Sequence, residues 1–141
     1  MINQITVFLE NEKGRLASMT STLAAADINM MSLCIVEATE YGLVRIICAN
    51  PDKAKDALVE AGFRAIQTPV AAISVPNEVG GLAKLMDVFD DLGLNIEYGY
   101  CFSYGNQAVD VFKVNNLDEQ GAAIVKLEAA GFKMLSIDDL C

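Results

Sequence analysis

The chain contains one short stretch twice. Residues 11–17 read Asn-Glu-Lys-Gly-Arg-Leu-Ala, and residues 77–83 read Asn-Glu-Val-Gly-Gly-Leu-Ala. Each copy follows a strand-like alternation and precedes apolar residues at helical spacing, a pattern typical of a turn that leads into a helix. Many residue combinations can begin a helix, so capping alone does not require the repetition. It indicates either a duplicated domain or a local function that needs this loop in two copies.

The residues around the first copy predict a complete set of elements. Apolar and polar side chains alternate before the loop, and apolar residues recur at helical spacing after it. Two β-rich segments follow, and a proline stands where a second helix can begin. The predicted elements are a strand at 3–9, a helix from Leu16 to Asp27, strands at 28–38 and 43–49 joined by a turn at 40–42, a helix from Pro51 and a strand from Phe63.

The second half of the chain repeats this order. Six positions between 11 and 29 are identical to the residues 66 positions later, and the offset then grows to 69. Strands are predicted at about 94–103 and 107–114, and Gly93 stands where Asp27 ends the first helix. Self-similarity at a fixed period is the signature of a duplication. The sequence therefore predicts two domains, at 1–68 and 69–141.

Each repeat predicts an α+β fold of the ferredoxin-like βαββαβ type, with its two helices on one face of a sheet. Such a unit leaves one sheet face and an edge strand unprotected, and about 70 residues form only a small core. The connection at 68–69 is very short. We therefore expect two tandem units that share one antiparallel sheet, with four helices on one face, and a homodimer formed over the open face.

The composition excludes several classes of partner. The net charge is −9, which argues against nucleic acid because phosphate binding requires a basic face. Residues 69–141 are the more acidic part, with eleven acidic against four basic residues. No run of about 18 apolar residues predicts a membrane span, and residues 1–10 do not resemble a signal peptide. A cytoplasmic protein without a membrane partner is expected.

The reactive residues predict neither a metal site nor catalysis. The chain has no histidine, which removes the commonest general base and metal ligand. Its four cysteines form no Cys-x-x-Cys pair, and Cys34, Cys48 and Cys101 lie in strand-like runs that predict packed, reduced thiols. We expect no cofactor, no metal and no enzymatic activity.

Two interpretations of the repeated loop compete. In the first, Asn11 and Asn77 cap the following helices, and Gly14 and Gly80 relax the turns. In the second, the loop presents free helix N–H groups to a carboxylate, and the glycine allows a ligand to approach the backbone. The asparagine amide offers both a donor and an acceptor, which suits the ammonium and carboxylate groups of an amino acid.

Two longer segments carry a resemblance to a known family. Residues 10–30 read ENEKGRLASMTSTLAAADINM, and residues 76–96 read PNEVGGLAKLMDVFDDLGLNI. Both are similar to the loop and first helix of the ACT-domain family, with Asn, then Gly and a branched apolar residue, and with a helix that ends in Gly or Asp, an aliphatic residue and Asn. Lys13 and Val79 stand where the family usually has proline. The resemblance covers nearly the whole chain as two units in tandem.

The resemblance implies a function and a site. ACT domains bind free amino acids between paired modules and regulate amino-acid metabolism. In serine-binding members, the loop asparagine of one module meets the strand asparagine of its neighbour, which implies that Asn11 acts with Asn95 and Asn77 with Asn29. The implied ligand-binding residues are Asn11, Lys13, Gly14, Arg15, Leu16, Asn29, Asn77, Val79, Gly80, Gly81, Leu82 and Asn95.

One departure from the serine-binding pattern concerns the ligand. Those members place a histidine two residues before the loop asparagine, whereas this chain has Leu9 and Val75 there. Both residues are either inward-facing strand residues or part of the ligand site. In the second case, an aliphatic or aromatic amino acid suits the site better than serine.

Two functions of different classes follow from the sequence. The first is a non-catalytic sensor that binds a free amino acid between its two repeats. The second is a regulatory subunit that docks on a biosynthetic enzyme through protein–protein contact.

Overall fold

The computed structural model describes residues 1–37, 40–115, 117 and 121–141. The chain folds into two compact units. We call Asn3–Thr68 with Ile137–Cys141 the first unit, and Met1–Ile2 with Pro69–Ser136 the second unit. Compared with the predicted division into 1–68 and 69–141, two residues at the start and five at the end of the chain belong to the other unit.

The elements follow the predicted order. The first half contains β1 (Ile2–Glu10), α1 (Arg15–Ala25), β2 (Met30–Glu37), β3 (Tyr41–Cys48), α2 (Pro51–Glu60) and β4 (Arg64–Pro76). The second half contains α3 (Gly81–Asp91), β5 (Asn95–Tyr104), β6 (Gln107–Asn115), α4 (Ala122–Ala129), β7 (Lys133–Met134) and α5 (Ile137–Leu140).

Both units have the same strand order. In the first unit it is β2-β3-β1-β4, and in the second it is β5-β6-β4-β7, so β4 belongs to both. The register of β1 on β3 and of β4 on β6 is antiparallel. Leu9 pairs with Gly42, and the residues 66 positions after these two, Val75 and Ala108, also pair with each other. These findings confirm the predicted α+β fold of two ferredoxin-like units.

In each unit, both helices pack on one face of the strands. In the first unit, Met19 of α1 and Leu58 of α2 lie in one buried cluster with Val7 of β1 and Val44 of β3. In the second unit, the equivalent cluster joins both helices to β4 and β6, and it includes Leu85, Phe89, Ile73, Phe112 and Leu127. Burial of these alternating residues is the main stabilising term of such small cores.

Three local predictions differ from the structure. Tyr41 and Gly42 were predicted in a turn, but they already pair with Glu10 and Leu9 as the start of β3. Residues 68–69 were predicted as a linker, but they lie inside the continuous strand β4. A fifth helix in the described part of the chain, α5, follows β7. Residue 38, the predicted end of the third element, lies outside the described residues.

The sequence predicted an open sheet face opposite the helices, but part of this face is buried. Gln4 and Thr6 of β1 and Ile47 of β3 alternate with the core residues, and all three are buried. The Gln4 side chain donates a 2.9 Å hydrogen bond to the Thr6 hydroxyl, which satisfies part of this buried polar pair. Val70 and Ala72 of the second unit are likewise buried. The expectation of an exposed face is therefore wrong at the centre of each unit.

The cysteines are all free thiols. Cys48 is buried, and desolvation raises the pKa of its thiol, as expected for an inert packed residue. Cys34 is half-buried, whereas Cys101 is exposed on β5, so the packing predicted for Cys101 is wrong. In the residues that the structure describes, no helix is both long and apolar enough to span a bilayer.

Candidate functional site

The two repeated loops have the same backbone conformation. In the first, the Glu12 N–H donates to the Glu10 carbonyl at 2.8 Å, and in the second, the Glu78 N–H donates to the Pro76 carbonyl at 2.9 Å. Gly14 and Gly80 are left-handed, with φ of 90° and 85°. Only glycine adopts this conformation readily, so its presence in both loops has a backbone cause. The sequence repeat is therefore a repeat of loop geometry.

The capping interpretation of the two asparagines is wrong. Gly14 is the N-cap of α1 and Gly80 the N-cap of α3, and neither helix has a side-chain capping bond. Asn11 and Asn77 lie three residues earlier, and both are exposed. Asn50, by contrast, caps α2 by accepting a 3.1 Å hydrogen bond from the Lys53 N–H, which the sequence analysis missed. The amides of Asn11 and Asn77 are thus not used to begin these helices.

The first loop borders a small cavity that lies within the first unit. Its volume is about 150 Å³, and we call it the loop cavity; its lining residues are Leu9, Glu10, Asn11, Glu12, Arg15, Leu16, Ile35 and Gly42. A neighbouring cavity of about 310 Å³ is lined by Asn11, Ile35, Val36, Glu37, Tyr41 and Gly42. Three predicted site residues, Asn11, Arg15 and Leu16, therefore meet at one place. Apolar, amide, cationic and anionic groups border it together.

Arg15 has a fixed position at this cavity. Its guanidinium carbon lies 4.6 Å from the centroid of the Phe63 ring, which is itself buried in the first core. This cation–π contact holds the head group against the protein. The Arg15 Nε atom is buried without a hydrogen-bond partner among the described residues. Lys13, the other predicted cation, is exposed.

Leu9 and Val75 belong to the hydrophobic cores of their units. This finding favours the simpler of their two interpretations, that of inward-facing strand residues. Leu9 also contributes to the wall of the loop cavity, whose other aliphatic side chains are Leu16 and Ile35. An apolar wall therefore exists, and of its three aliphatic residues only Ile35 was not considered from the sequence.

The second loop differs from the first at Gly81. A Cβ atom added to Gly81 would lie 2.5 Å from the Pro76 carbonyl oxygen and 3.3 Å from a Val75 methyl group. Gly81 is buried, so its missing side chain makes room for its own loop rather than for a ligand. Val79 and Leu82 are exposed. The close backbone approach that a glycine can give a ligand is therefore not available at Gly81.

The strand asparagines lie far from the loop asparagine of the same unit. Asn29 precedes Met30, which pairs with Cys48, whereas the loop follows Glu10, which pairs with Tyr41. These positions are about 23 Å apart along β3. In the second unit, Pro76 pairs with Gln107 and Asn95 with Asn115, a separation of roughly 26 Å along β6. Asn11 and Asn29, or Asn77 and Asn95, therefore cannot share one ligand within a unit.

One buried acid of the second unit was not predicted from the sequence. Asp110 lies on the helix-facing side of β6, directly opposite Ile73 and Cys101 on its two neighbouring strands. Only 6% of it is exposed. Burial raises the pKa of its carboxyl, because the charged form loses hydration there. The offset of 66 could have revealed it, since the equivalent residue of the first unit is Val44.

The described residues include no cluster of three or more cysteine, aspartate or glutamate side chains that could hold a metal ion. The loop cavity lies where the first strand of the first unit ends and its first helix begins. The duplicated ferredoxin-like fold defines the class of tandem βαββαβ modules.

Comparison with known families identifies the family within this class. Residues 1–134 match the model of the ACT domain pair, so the chain belongs to this family. A solved protein from Bacteroides thetaiotaomicron is 38% identical, with a TM-score of 0.90 over 99% of this chain and 94% of that one. No protein of curated description matches the sequence.

More distant structures share the fold. The ligand-free regulatory subunit of aspartate kinase from Thermus thermophilus is 20% identical, with a TM-score of 0.63 and 91% of each chain covered. The corresponding subunit from Thermus flavus is also 20% identical, with a TM-score of 0.59 and 92% of each chain covered. The resemblance first suggested by the repeated loop is thus confirmed by the family match and by the fold.

Proposed function

We propose that this chain is a non-catalytic, cytoplasmic regulatory protein that binds a free amino acid at its repeated loops. The observation that carries the proposal is the loop cavity, which is bordered by Asn11, Arg15, Glu12 and aliphatic side chains. An amino acid presents one carboxylate, one ammonium group and one side chain. The cavity borders supply a partner for each of these three groups.

The chemistry of the borders suggests how the ligand lies. The Asn11 amide suits the carboxylate, with Arg15 as a nearby cation. The carboxylate of Glu12 suits the ammonium group. Leu16 and Ile35 are large apolar residues that remain exposed, and they suit an aliphatic or aromatic side chain better than a serine hydroxyl.

The second contributor to each site is also part of the proposal. Because an asparagine of the same unit is too distant to complete the loop site, the arrangement to test is the one that the family resemblance implies, Asn11 with Asn95 and Asn77 with Asn29. The wider proposed site comprises the backbone and side chains of both loops, with Gly14, Gly80 and Leu82 beside the asparagines.

Titration calorimetry of the full chain against the twenty amino acids tests the proposal. We expect Asn11→Ala and Asn95→Ala to weaken one site, and Asn77→Ala and Asn29→Ala to weaken the other. Loss of one hydrogen bond to a charged ligand group costs about 1.5–3 kcal/mol, or roughly a tenfold to hundredfold loss of affinity. Asn106→Ala, at an exposed asparagine of the turn between β5 and β6, is the matched control.

A second function, docking on a biosynthetic enzyme, is favoured by the surface of β2. This strand is outermost in its sheet order, and its Leu33, Ile35 and Val36 are exposed. Exposed apolar residues on an edge strand are typical of a protein-binding surface. If none of the twenty amino acids binds in the titration, that result would support this alternative. Sedimentation of the free chain would show whether the same surface instead forms the proposed homodimer.

A further inference from the structure

The first unit contains a larger cavity than the loop cavity. Its volume is about 410 Å³, within the usual range of small-molecule sites, and its lining residues are Phe8, Leu9, Glu10, Tyr41 and Arg64. We call it the Phe8 cavity. Leu9 belongs to the helix-facing core, and side chains alternate along a strand, so Phe8 and Glu10 point to the opposite sheet face. Phe8, Tyr41 and Arg64 line this cavity and are not part of the loop cavity's lining, whereas Leu9 and Glu10 border both cavities.

Three strands bring an unusual set of side chains together at this cavity. The Arg64 guanidinium carbon, on β4, lies 5.0 Å from the centroid of the Phe8 ring on β1. The Tyr41 ring, on β3, lies 6.1 Å from the Phe8 ring, with 50° between the ring planes. Glu10 pairs directly with Tyr41 across the strands. A cation, two aromatic rings and a carboxylate thus border one space.

The second unit shows that the fold does not require these residues. Phe8 and Tyr41 correspond to Ser74 and Gln107, which are 66 positions later. The Ser74 hydroxyl donates a 3.3 Å hydrogen bond to the Gln107 side chain there. Glu10 corresponds to Pro76, and Arg64 corresponds to Lys133 at the later offset of 69. The aromatic rings and the acid are therefore particular to the first unit, where they leave a cavity open.

We propose that the Phe8 cavity is a second ligand site, adjacent to the loop cavity, for a small aromatic zwitterion. The planar guanidinium of Arg64 binds a carboxylate with two parallel hydrogen bonds, and its stack on Phe8 fixes its orientation. The rings of Phe8 and Tyr41 contact the aromatic body of the ligand. Glu10 binds the ammonium group and repels ligands that carry only a negative charge.

The test uses backbone amide shifts in NMR spectra of the full chain, with L-phenylalanine as the probe. We expect L-phenylalanine to shift the signals of residues 8, 10, 41 and 64. Two analogues, 3-phenylpropionate without the ammonium group and L-alanine without the ring, should bind at least about tenfold more weakly at these residues. Phe8→Ser introduces the residue of the second unit. This variant and Arg64→Gln should each lower the affinity for L-phenylalanine by at least about tenfold.

Two control variants separate this site from the loop site. Asn11→Ala should leave the shifts at residues 8 and 64 unchanged, and Lys53→Gln should do the same because this exposed lysine of α2 is a cation outside the cavity lining. Absence of shifts at β1, β3 and β4 with millimolar L-phenylalanine would overturn the proposal. So would binding that Asn11→Ala abolishes and Phe8→Ser does not change, a result that leaves the proposed loop site intact.

Discussion

Val44 and Asp110 occupy the same position in the two units. Val44 lies opposite Val7 in the first core, and Asp110 lies opposite Ile73, which is 66 positions after Val7. Val44 is fully buried, and Asp110 is nearly so. One duplicated core position thus holds a valine in one copy and a carboxyl group in the other. Burial of such a group without full compensation lowers stability, because its charged form is poorly hydrated.

The first prediction is that Asp110 makes stability depend on pH. Its folded-state pKa is raised above the unfolded value of about 3.9, so the folded state binds the proton more tightly. The protonated group therefore favours folding most below pH ~3.9, and this contribution is lost as the pH rises through the raised pKa. We expect Asp110→Asn to unfold at higher urea concentration than the natural chain at pH 7.

The comparison over pH distinguishes this cause from a simple packing change. The advantage of Asp110→Asn should shrink as the pH falls and should vanish once the aspartic acid is protonated in both states. Asp87→Asn, at an exposed aspartate of α3, is the control and should show no such trend. An equal difference between Asp110→Asn and the natural chain at every pH would contradict the prediction.

The repeat made most of the fold predictable, because both hydrophobic periodicity and turn residues occur twice. The helix-facing residues Ile5, Val7 and Leu9 were readable from their period of two, and all three are buried. The strand structure of Tyr41 and Gly42 was not predictable, because a glycine beside a polar residue is typical of a turn. Both residues lie in β3 because they pair with β1 across the sheet. The short helix α5 was not predicted, because four residues are too few to show a periodic pattern. Its Leu140 is buried, so tertiary packing rather than local sequence stabilises this helix.

The sequence predicted some residues that line the loop cavity but not others. Asn11 and Arg15 were found from the loop pattern, and both line the loop cavity. Ile35 and Gly42 were missed, because their contribution depends on the register of β2 and β3 rather than on local sequence. Gly81 illustrates the opposite error. A glycine beside a proposed ligand suggested open space, whereas the Pro76 carbonyl occupies it.

The second prediction concerns the ends of α1 and α3. Asp27 and Gly93 are equivalent, and both are left-handed, with φ of 56° and 66°. This conformation costs a residue with a Cβ roughly 1–2 kcal/mol, although aspartate is less affected than most. Asp27→Gly should therefore stabilise the chain by up to about 1 kcal/mol in urea unfolding, and Gly93→Ala should destabilise it by about 1 kcal/mol. Similar effects of the two changes would show that backbone strain is not the cause.

The third prediction concerns the close approach at Gly81. Alanine there would place its Cβ 2.5 Å from the Pro76 carbonyl oxygen, so backbone atoms would have to move. We expect Gly81→Ala to destabilise the chain by about 1–3 kcal/mol, the usual cost of overpacking. The equivalent first-unit change, Arg15→Ala, adds no atom and loses only the contact with Phe63, so its cost should be smaller. Urea unfolding of both variants measures the difference.

The fourth prediction is that the two loop sites bind an amino acid unequally. Lys13 and Arg15 belong to the first loop, whereas Val79 and Gly81 stand at these positions of the second, and residues 69–141 are the more acidic part. A solvent-exposed cation near a bound carboxylate changes affinity by up to roughly fivefold, and salt screens it. The first-loop site should therefore bind more tightly at low salt, with the two affinities converging at high salt.

Lys13→Val, which introduces the residue of the second loop, should reduce the difference in affinity between the two sites at low salt, while Lys53→Gln should leave this difference unchanged. One affinity for two filled sites at both ionic strengths would refute this electrostatic difference, because the loops would then be equivalent despite their charges.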